Sequence, residues 1–349
     1  MEIWHGPHPR RGYSAAEAQE LERQGWAGQA AQENATVSAD PFVLLTSLAI
    51  ATSRLGVATG VVNPATRHPA VMAAAALGVQ EASQGRLVLG IGRGDSALAD
   101  LGMAPMPVRD FERAVTAIQL LVSGIPVPFD DGPSIDGLPI GRHASEVALR
   151  WLRADLPKVP IDVAATGPRI LGIAGRVADR VSISVGADPE RLRWAIARVH
   201  EGAATARLGH LGPIQIGAWI NIVVADDDER ARELARGAIT STARFSAMHG
   251  TPVGPFVGED AEVLRAIVDA YDMRAHGRSG NPASARIPTS FIDRFAVVGT
   301  PRRVRERLLR LRELGLRHIV MIGASPGTDP AEEAHSRALF VEDVLPALA

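Results

Sequence analysis

The sequence of 349 residues contains no cysteine. Disulfides, thiol nucleophiles, cysteine-held iron–sulfur clusters and cysteine-type zinc sites are therefore all excluded. Basic residues are not in excess either, because 37 Lys and Arg face 39 Asp and Glu, a net charge of −2. Nucleic-acid binding needs a basic surface for the phosphates, so we expect neither a nucleic-acid partner nor an anionic membrane.

Long apolar runs are missing too. The longest stretches, such as Phe42–Ala51, are well short of the roughly 20 residues that span a bilayer. The first residues lack the charged and apolar segments of a secretory signal. We therefore expect a soluble, cytoplasmic protein. Because 46% of the residues are hydrophobic, the chain can bury a sizeable core.

Short strand-like runs alternate with longer helical runs along the chain, and such alternation predicts a parallel sheet. Eight strand–helix units in a chain of this length favour a closed (β/α)8 TIM barrel over an open doubly wound sheet. We expect one domain, residues 1–349. The predicted strands are Glu2–His5, Trp26–Gln32, Arg54–Val62, Arg86–Ile91, Ile161–Ala165, Arg180–Val185, Gln215–Ala225 and His318–Gly323.

Local signals mark the ends of several elements. Ser14 followed by Glu17 is a capping box that predicts a helix start, and Pro41 in a first turn predicts another. Residues 125–141, rich in Pro and Gly, are predicted to form a loop or short hairpin. Ser246–Asp293 is irregular, and we interpret it as an insertion before the last strand that carries one helix, Asp260–Tyr271.

Functional residues of a TIM barrel lie at the C-terminal ends of its strands. His5, at the first such end, is a candidate proton donor or pocket wall. A metal shared with His8 is disfavoured, because the pair is not at helical spacing and no carboxylate is near. Glu33, after the second strand, is either an ordinary solvated residue or a general acid whose pKa is raised by burial. We expect no metal site.

Three further strand ends carry glycine or proline. Gly60–Pro69 predicts either a simple loop or a bulge that pushes backbone into the barrel mouth. Gly90–Ser96 reads G-x-G-x-G rather than the dinucleotide pattern G-x-G-x-x-G, yet its glycines let backbone amides approach a ligand. Ala165–Arg169 offers helix-start amides, a hydroxyl and a guanidinium, which favours a phosphate site over an ordinary capped turn.

Two strings, GVVNPATRHPA from Gly60 and GRLVLGIGRGD from Gly85, carry a resemblance to a known family. They resemble the bacterial luciferase-like superfamily, most of all its deazaflavin branch, typified by methylenetetrahydromethanopterin reductase. AATGPR at Ala164–Arg169 and FAVVGTP at Phe295–Pro301 are shorter matches. The similarity extends from about residue 25 to the C-terminus.

The resemblance implies a (β/α)8 barrel, usually dimeric, that binds coenzyme F-420 in its mouth and moves a hydride between the deazaflavin C5 and an acceptor. It also implies a non-prolyl cis peptide at Gly60–Val61, ring contacts around Gly92–Gly94, and phosphate contacts at Thr166–Arg169. The cofactor-binding residues so implied are Gly60, Val61, Val62, Asn63, Gly92, Arg93, Gly94, Thr166, Gly167, Pro168 and Arg169.

This sequence departs from the family at two strand ends. Family members commonly place an acid and a histidine after strand two, where this chain has Glu33 and Asn34, and the reductase places a glutamate near Trp4 and His5. We therefore expect a different substrate, with Asn34 and Trp4 on the substrate side. The acceptor would be an unsaturated, imine or carbonyl carbon. An FMN-dependent monooxygenase and a catalytically silent cofactor-binding barrel remain alternatives.

Overall fold

Eight parallel strands close into a barrel in this computed structural model, which describes residues 1–8, 12–128 and 145–348. Around the ring the order is β1, β2, β3, β4, β5, β6, β7 and β9, and β9 pairs with β1 to close it. The predicted TIM barrel is confirmed. The strands are β1 Glu2–His5, β2 Gly28–Ala31, β3 Gly56–Thr59, β4 Leu87–Ile91, β5 Ile161–Ala165, β6 Arg180–Ile183, β7 Gln215–Val224, β8 Val297–Gly299 and β9 His318–Ile322.

Helices surround the barrel, and their apolar faces pack on the outer faces of the strands to form the main core. None of the described helices is long and apolar enough to cross a membrane. The helices are α1 Ala15–Gln24, α2 Pro41–Ala51, α3 Pro69–Ala82, α4 Ser96–Ala99, α5 Val108–Val122, α6 Pro168–Val177, α7 Pro189–Ala206, α8 Asp228–Ala243, α9 Asp260–Ala270, α10 Thr289–Phe295, α11 Pro301–Glu313 and α12 Pro330–Leu339.

The helix caps predicted from the sequence are present. The Ser14 hydroxyl accepts a hydrogen bond from the Glu17 amide at 3.1 Å, and the Glu17 carboxylate accepts one from the Ser14 amide at 2.7 Å. Asp40 caps α2 by accepting from the amide of Phe42. These short-range hydrogen bonds satisfy amides that have no partner inside the helix, which is why the sequence alone places the helix starts.

The region before β9 differs from the prediction. β8 was not predicted; it has three residues and pairs with the upper part of β7, Ile222–Val224. The insertion contains more than the single helix expected, because α10 begins inside it and 3-10 turns occupy Met273–Ala275 and Pro282–Arg286. These pieces are too short for a readable periodicity.

The predicted loop or hairpin at 125–141 is described only at its start. Val127–Pro128 pairs antiparallel with Glu146–Val147. Residues 129–144 lie outside the described part of the chain.

Inside the lower barrel, one large side chain fills the space left by two glycines. A Cβ on Gly28 would lie 2.2 Å from the ring of Trp4, and a Cβ on Gly56 would lie 2.6 Å from it. The Trp4 indole N–H donates to the Glu2 carboxylate at 3.0 Å, and the Arg180 guanidinium lies 5.5 Å from the ring centroid. Trp4 is therefore a packing residue of the barrel interior, 6% exposed.

A buried polar network lies beside Trp4. The Ser182 hydroxyl donates its proton to Asp162 Oδ2 at 2.7 Å. Its oxygen also lies 3.0 Å from His318 Nε2. Because the hydroxyl proton is already used, the imidazole is the donor in this second hydrogen bond. Arg180 Nε lies 3.9 Å from Asp162 Oδ2. Burial acts to raise the pKa of Asp162, but its interactions with His318 and Arg180 outweigh this, and the pKa lies below its ordinary value.

We predict that Asp162→Asn destabilises the fold by about 3 kcal/mol, because it leaves the buried partners of the carboxylate uncompensated. A lowered folded-state pKa means that this stabilisation is present above the unfolded-state pKa and is lost as pH falls through the folded value. Urea unfolding at several pH values measures both effects. The control is Asp155→Asn, whose carboxylate pairs with Arg153 at the surface. Equal unfolding midpoints for the two variants would contradict the prediction.

Candidate functional site

The backbone after β3 bulges toward β4 at the C-terminal end of the barrel. The Gly60–Val61 peptide bond is cis, as the resemblance implied. The Val62 amide donates to the Gly90 carbonyl at 3.0 Å, and the Gly92 amide donates to the Val62 carbonyl at 2.9 Å. The structure thus brings together two of the predicted motifs, the bulge and the glycine-rich loop.

This close approach depends on glycines in β4 and the loop after it. A Cβ on Gly90 would lie 2.1 Å from the Thr59 carbonyl oxygen, and one on Gly92 would lie 2.8 Å from a Val61 methyl. Gly94, at φ +79°, adopts a backbone conformation that other residues rarely take. Any side chain at Gly90 or Gly92 would therefore push the bulge away from the loop.

Below the bulge, the half-buried Trp219 of β7 supports its backbone. A Cβ on Gly60 would lie 3.0 Å from the Trp219 ring and 2.7 Å from the Ala30 methyl. Trp219 was not predicted as a site residue, because nothing in a strand pattern says that an aromatic side chain supports backbone at the end of a distant strand.

Glu33 holds the bulge after β3 in place through hydrogen bonds and an ion pair. Its Oε2 accepts from the Asn63 amide at 3.0 Å and from the Asn63 side chain at 2.7 Å. Its Oε1 accepts from Arg67, which also binds Asp40. Both carboxylate oxygens are thus occupied by donors, so the geometry makes Glu33 a positioning residue for the Asn63 loop.

Asn34, next to Glu33, is buried and joins two loops. Its side-chain amide donates to Asp100 Oδ2 at 2.8 Å, and its Oδ1 accepts from the Thr36 hydroxyl at 2.7 Å. Asn34 therefore ties the end of β2 to the segment after α4.

The first strand end is not arranged as expected. Successive side chains of a strand alternate between its two faces, and with Trp4 inside the barrel the ring of His5 packs edge-on against Trp26, at a centroid distance of 5.2 Å. Trp26 belongs to the core between strands and helices. The ring of His5 therefore packs toward the outer core, whereas Trp4 lines an interior cavity together with Val61 of the bulge and Gly90 of β4.

The start of α6 has the features of an anion site. Gly167 at its N-cap position makes no side-chain capping bond, so the first amides of the helix have no side-chain acceptor at that position. The Thr166 hydroxyl donates to the Ser184 carbonyl at 3.1 Å. Burial is the main cause that lowers the pKa of Arg93, and the positive charge of Arg169 lowers it further. The two guanidinium groups are therefore near one another at this helix start.

A cluster that was not predicted from the sequence lies over the barrel mouth. The side chain of Arg244, which follows α8, is 9% exposed and donates to Ser96, with Asp95 Oδ1 at 3.3 Å. Its guanidinium lies 4.9 Å from the Tyr271 ring centroid. The Tyr271 hydroxyl is 2.6 Å from His276 Nδ1. Tyr271 and His276 come from the insertion, whose sequence carries no recognisable motif.

His8 also reaches this region. Its Nε2 lies 3.2 Å from the Ala324 carbonyl oxygen, and burial lowers its pKa to about 4. No group of three or more potential metal ligands is present among the described residues.

Comparison with known proteins identifies the family. The family model described as luciferase-like monooxygenase matches residues 3–318. The chain belongs to the luciferase-like family. The predicted family is therefore confirmed, and so is the expectation that the protein is an oxidoreductase.

Relatives within the luciferase-like family span nearly the whole chain. The 5,10-methylenetetrahydromethanopterin reductase of Methanopyrus kandleri is 26% identical over 298 residues, 82% of this chain and 81% of the relative. The structure of a coenzyme F420 dependent tetrahydromethanopterin reductase from the same organism gives a TM-score of 0.69 at 20% identity, covering 100% of both chains. The oxygenating constituent of 3,6-diketocamphane monooxygenase from Pseudomonas putida, in complex with FMN, gives 0.64 at 18% identity, covering 99% and 98%.

We predict that Glu33→Gln weakens binding of F-420, the cofactor that the resemblance implies, about tenfold. The substitution removes the ion pair with Arg67 and loosens the Asn63 loop. Tenfold corresponds to about 1.4 kcal/mol. A fluorescence titration with F-420 measures the affinity, and Glu20→Gln on the surface of α1 is the control. If Glu33 were a general acid, turnover would fall while affinity stayed at the wild-type value.

Proposed function

We propose that this luciferase-like protein is an F-420-dependent oxidoreductase that transfers a hydride between the deazaflavin C5 and an unsaturated, imine or carbonyl carbon of a small organic substrate. The observation that carries the proposal is the arrangement at the barrel mouth. The bulge that packs on Gly90 and Gly92 lies at the same end of the barrel as an uncapped helix start that has Arg93 and Arg169 beside it. A cofactor that joins a flat ring system to a phosphate-bearing tail requires both a backbone wall for the ring and an anion site for the phosphate.

The residues present fit such a cofactor. The bulge Gly60–Asn63 and the loop Gly92–Gly94 are hydrogen-bonded to each other, and together they would form one backbone wall for the ring. The first turn of α6, with Thr166–Arg169, would hold the phosphate through amides, helix dipole and guanidinium. The bound group would supply the hydride chemistry, and the chain orients it.

Burial at the bulge explains how the wall stays rigid. Asn63 is 3% exposed and accepts at its side-chain oxygen from the amides of Ala65 and Thr66, both at 3.2 Å. With Glu33 accepting from the Asn63 backbone and side-chain amides, both ends of the Asn63 side chain are hydrogen-bonded.

The test is a pair of fluorescence titrations with F-420 and FMN. We expect micromolar or tighter binding of F-420 and weaker binding of FMN. Arg169→Ala should weaken F-420 binding about fivefold, in keeping with about 1 kcal/mol for a solvent-accessible charge contact. The control is Arg305→Ala, an exposed arginine on α11. Binding of neither cofactor would overturn the proposal.

An FMN-dependent monooxygenase is the second candidate, and the description of the family model favours it. Tighter binding of FMN, with oxygen consumption by the reduced complex, would establish it in place of the first.

A catalytically silent barrel is the third candidate. Asn34, which stands where family members commonly carry histidine, is fully engaged with Asp100 and Thr36. Tight F-420 binding without turnover over a panel of acceptors would support the silent barrel.

We further propose a homodimer formed through α2 and α3. Helix α2 is apolar except for Thr46 and Ser47, and Val43 and Ile50, seven residues apart on one face, are 63% and 73% exposed. Val71 on the neighbouring α3 is 59% exposed. Apolar side chains that recur on adjacent helices are typical of an interface.

We predict that the double variant Val43→Asp/Ile50→Asp is monomeric, because it introduces two charges into that face. Sedimentation velocity gives the mass of the wild type and the variant. Val257→Asp, in the insertion, is the matched control and should leave the mass unchanged. A wild-type protein that sediments as a monomer would contradict the dimer.

A further inference from the structure

A small cavity inside the barrel is bordered both by the buried polar network and by the bulge after β3. Asp162, Arg180 and Ser182 of the network line it, and so do Val61 of the bulge and Gly90 of β4. Its volume is about 20 Å³, and a single water molecule needs at least about 10–15 Å³. The cavity therefore has room for one water-sized ligand.

The Asp162 carboxylate has one oxygen with a donor and one without. Oδ2 accepts from the Ser182 hydroxyl at 2.7 Å and lies 3.4 Å from His318 Nε2. Oδ1 is buried and has no hydrogen-bond partner among the residues that the structure describes. A buried oxygen left without a donor is costly, and such atoms in folded proteins usually bind either a protein group or an ordered water.

The Arg180 guanidinium presents the complementary group. Its Nη2 donates to the Glu2 carboxylate at 3.2 Å, whereas its Nε is buried and has no acceptor within the described parts of the chain. Nε lies 3.9 Å from Asp162 Oδ2, which is too far for a direct hydrogen bond. Two polar groups at such a separation are typical of a contact that a water molecule bridges.

The chemistry of these two atoms selects the ligand. It has to accept a hydrogen bond from the Arg180 Nε–H and donate one to Asp162 Oδ1. A metal or ammonium ion cannot accept from a guanidinium, and a simple anion cannot donate to a carboxylate. An apolar molecule does neither. Water does both, and its size matches the volume of the cavity.

We propose that the cavity is a binding site for one ordered water molecule, which accepts from Arg180 Nε and donates to Asp162 Oδ1. The water joins β5 to β6, because Asp162 and Arg180 lie on these two strands. It supplies the partners that the polar network lacks. Since Val61 and Gly90 line the same cavity, the bulge packs on a filled barrel interior.

Crystallography at atomic resolution tests the site directly. We expect one density peak within about 3.2 Å of both Asp162 Oδ1 and Arg180 Nε, with equal height in crystals soaked in lithium and in rubidium salts. The absence of a peak would overturn the proposal. A peak with the anomalous signal of rubidium would show a cation and would overturn it as well.

Occupancy in solution is tested by 17O magnetic relaxation dispersion, which counts the water molecules that a protein holds for longer than its tumbling time. Val88→Ile adds one methylene to a side chain that lines the cavity. We expect this variant to hold one long-lived water fewer than the wild type, because the added group occupies the space. An unchanged number would overturn the proposal.

Two matched controls accompany Val88→Ile. Val57→Ile adds the same methylene to a buried residue of the outer core, and Val88→Thr keeps the volume of the side chain at position 88. Both should hold the wild-type number of long-lived waters. Loss of a water in Val57→Ile as well would refute the placement of the water in this cavity.

The bridging role is tested by urea unfolding of the two isoleucine variants. We expect a lower unfolding midpoint for Val88→Ile than for Val57→Ile, because displacing the water leaves a buried donor and a buried acceptor unpaired. Equal midpoints would refute the bridge. None of these measurements uses F-420, so failure of that cofactor to bind would overturn the proposed function and leave the water site standing.

Discussion

The mouth of this barrel depends on the close approach of one backbone segment to another. The bulge after β3 lies on Gly90 and Gly92, where a single Cβ would collide with the Thr59 carbonyl or the Val61 side chain. Glu33 then anchors the bulge through Asn63 and Arg67. Hydrogen bonds and an ion pair can hold the loop in place only because the glycines first let it come within contact distance.

In the lower half of the barrel, the packing of the interior is the main constraint. Eight strands leave an interior that side chains must fill, and here Trp4 occupies the space over Gly28 and Gly56. Beside it, Ser182 and His318 are hydrogen-bonded within a buried polar layer around the Asp162 carboxylate. This packed layer lies below the strand ends, and the loops of the candidate site follow those strand ends.

The insertion contributes side chains to a cluster beside the loop after β4. Asn34 is engaged in a loop-to-loop contact, and the ring of His5 packs edge-on against Trp26. Tyr271 and His276 reach the same region from above, with Arg244 connecting them to the loop after β4.

Features that are local or strongly periodic could be predicted from the amino-acid sequence, whereas the contacts of the site residues depend on the closed barrel. The strands, the Ser14–Glu17 capping box and the glycine-rich strand ends all follow from short-range patterns, and the luciferase-like resemblance rests on contiguous strings. The three-residue β8 was not predicted, because so short a strand has no period to read. Glu33 was expected to offer a proton, but donors from thirty or more residues away occupy both of its oxygens. Arg244 meets Asp95 across 149 residues of chain, and no local pattern encodes which distant segments the barrel brings together.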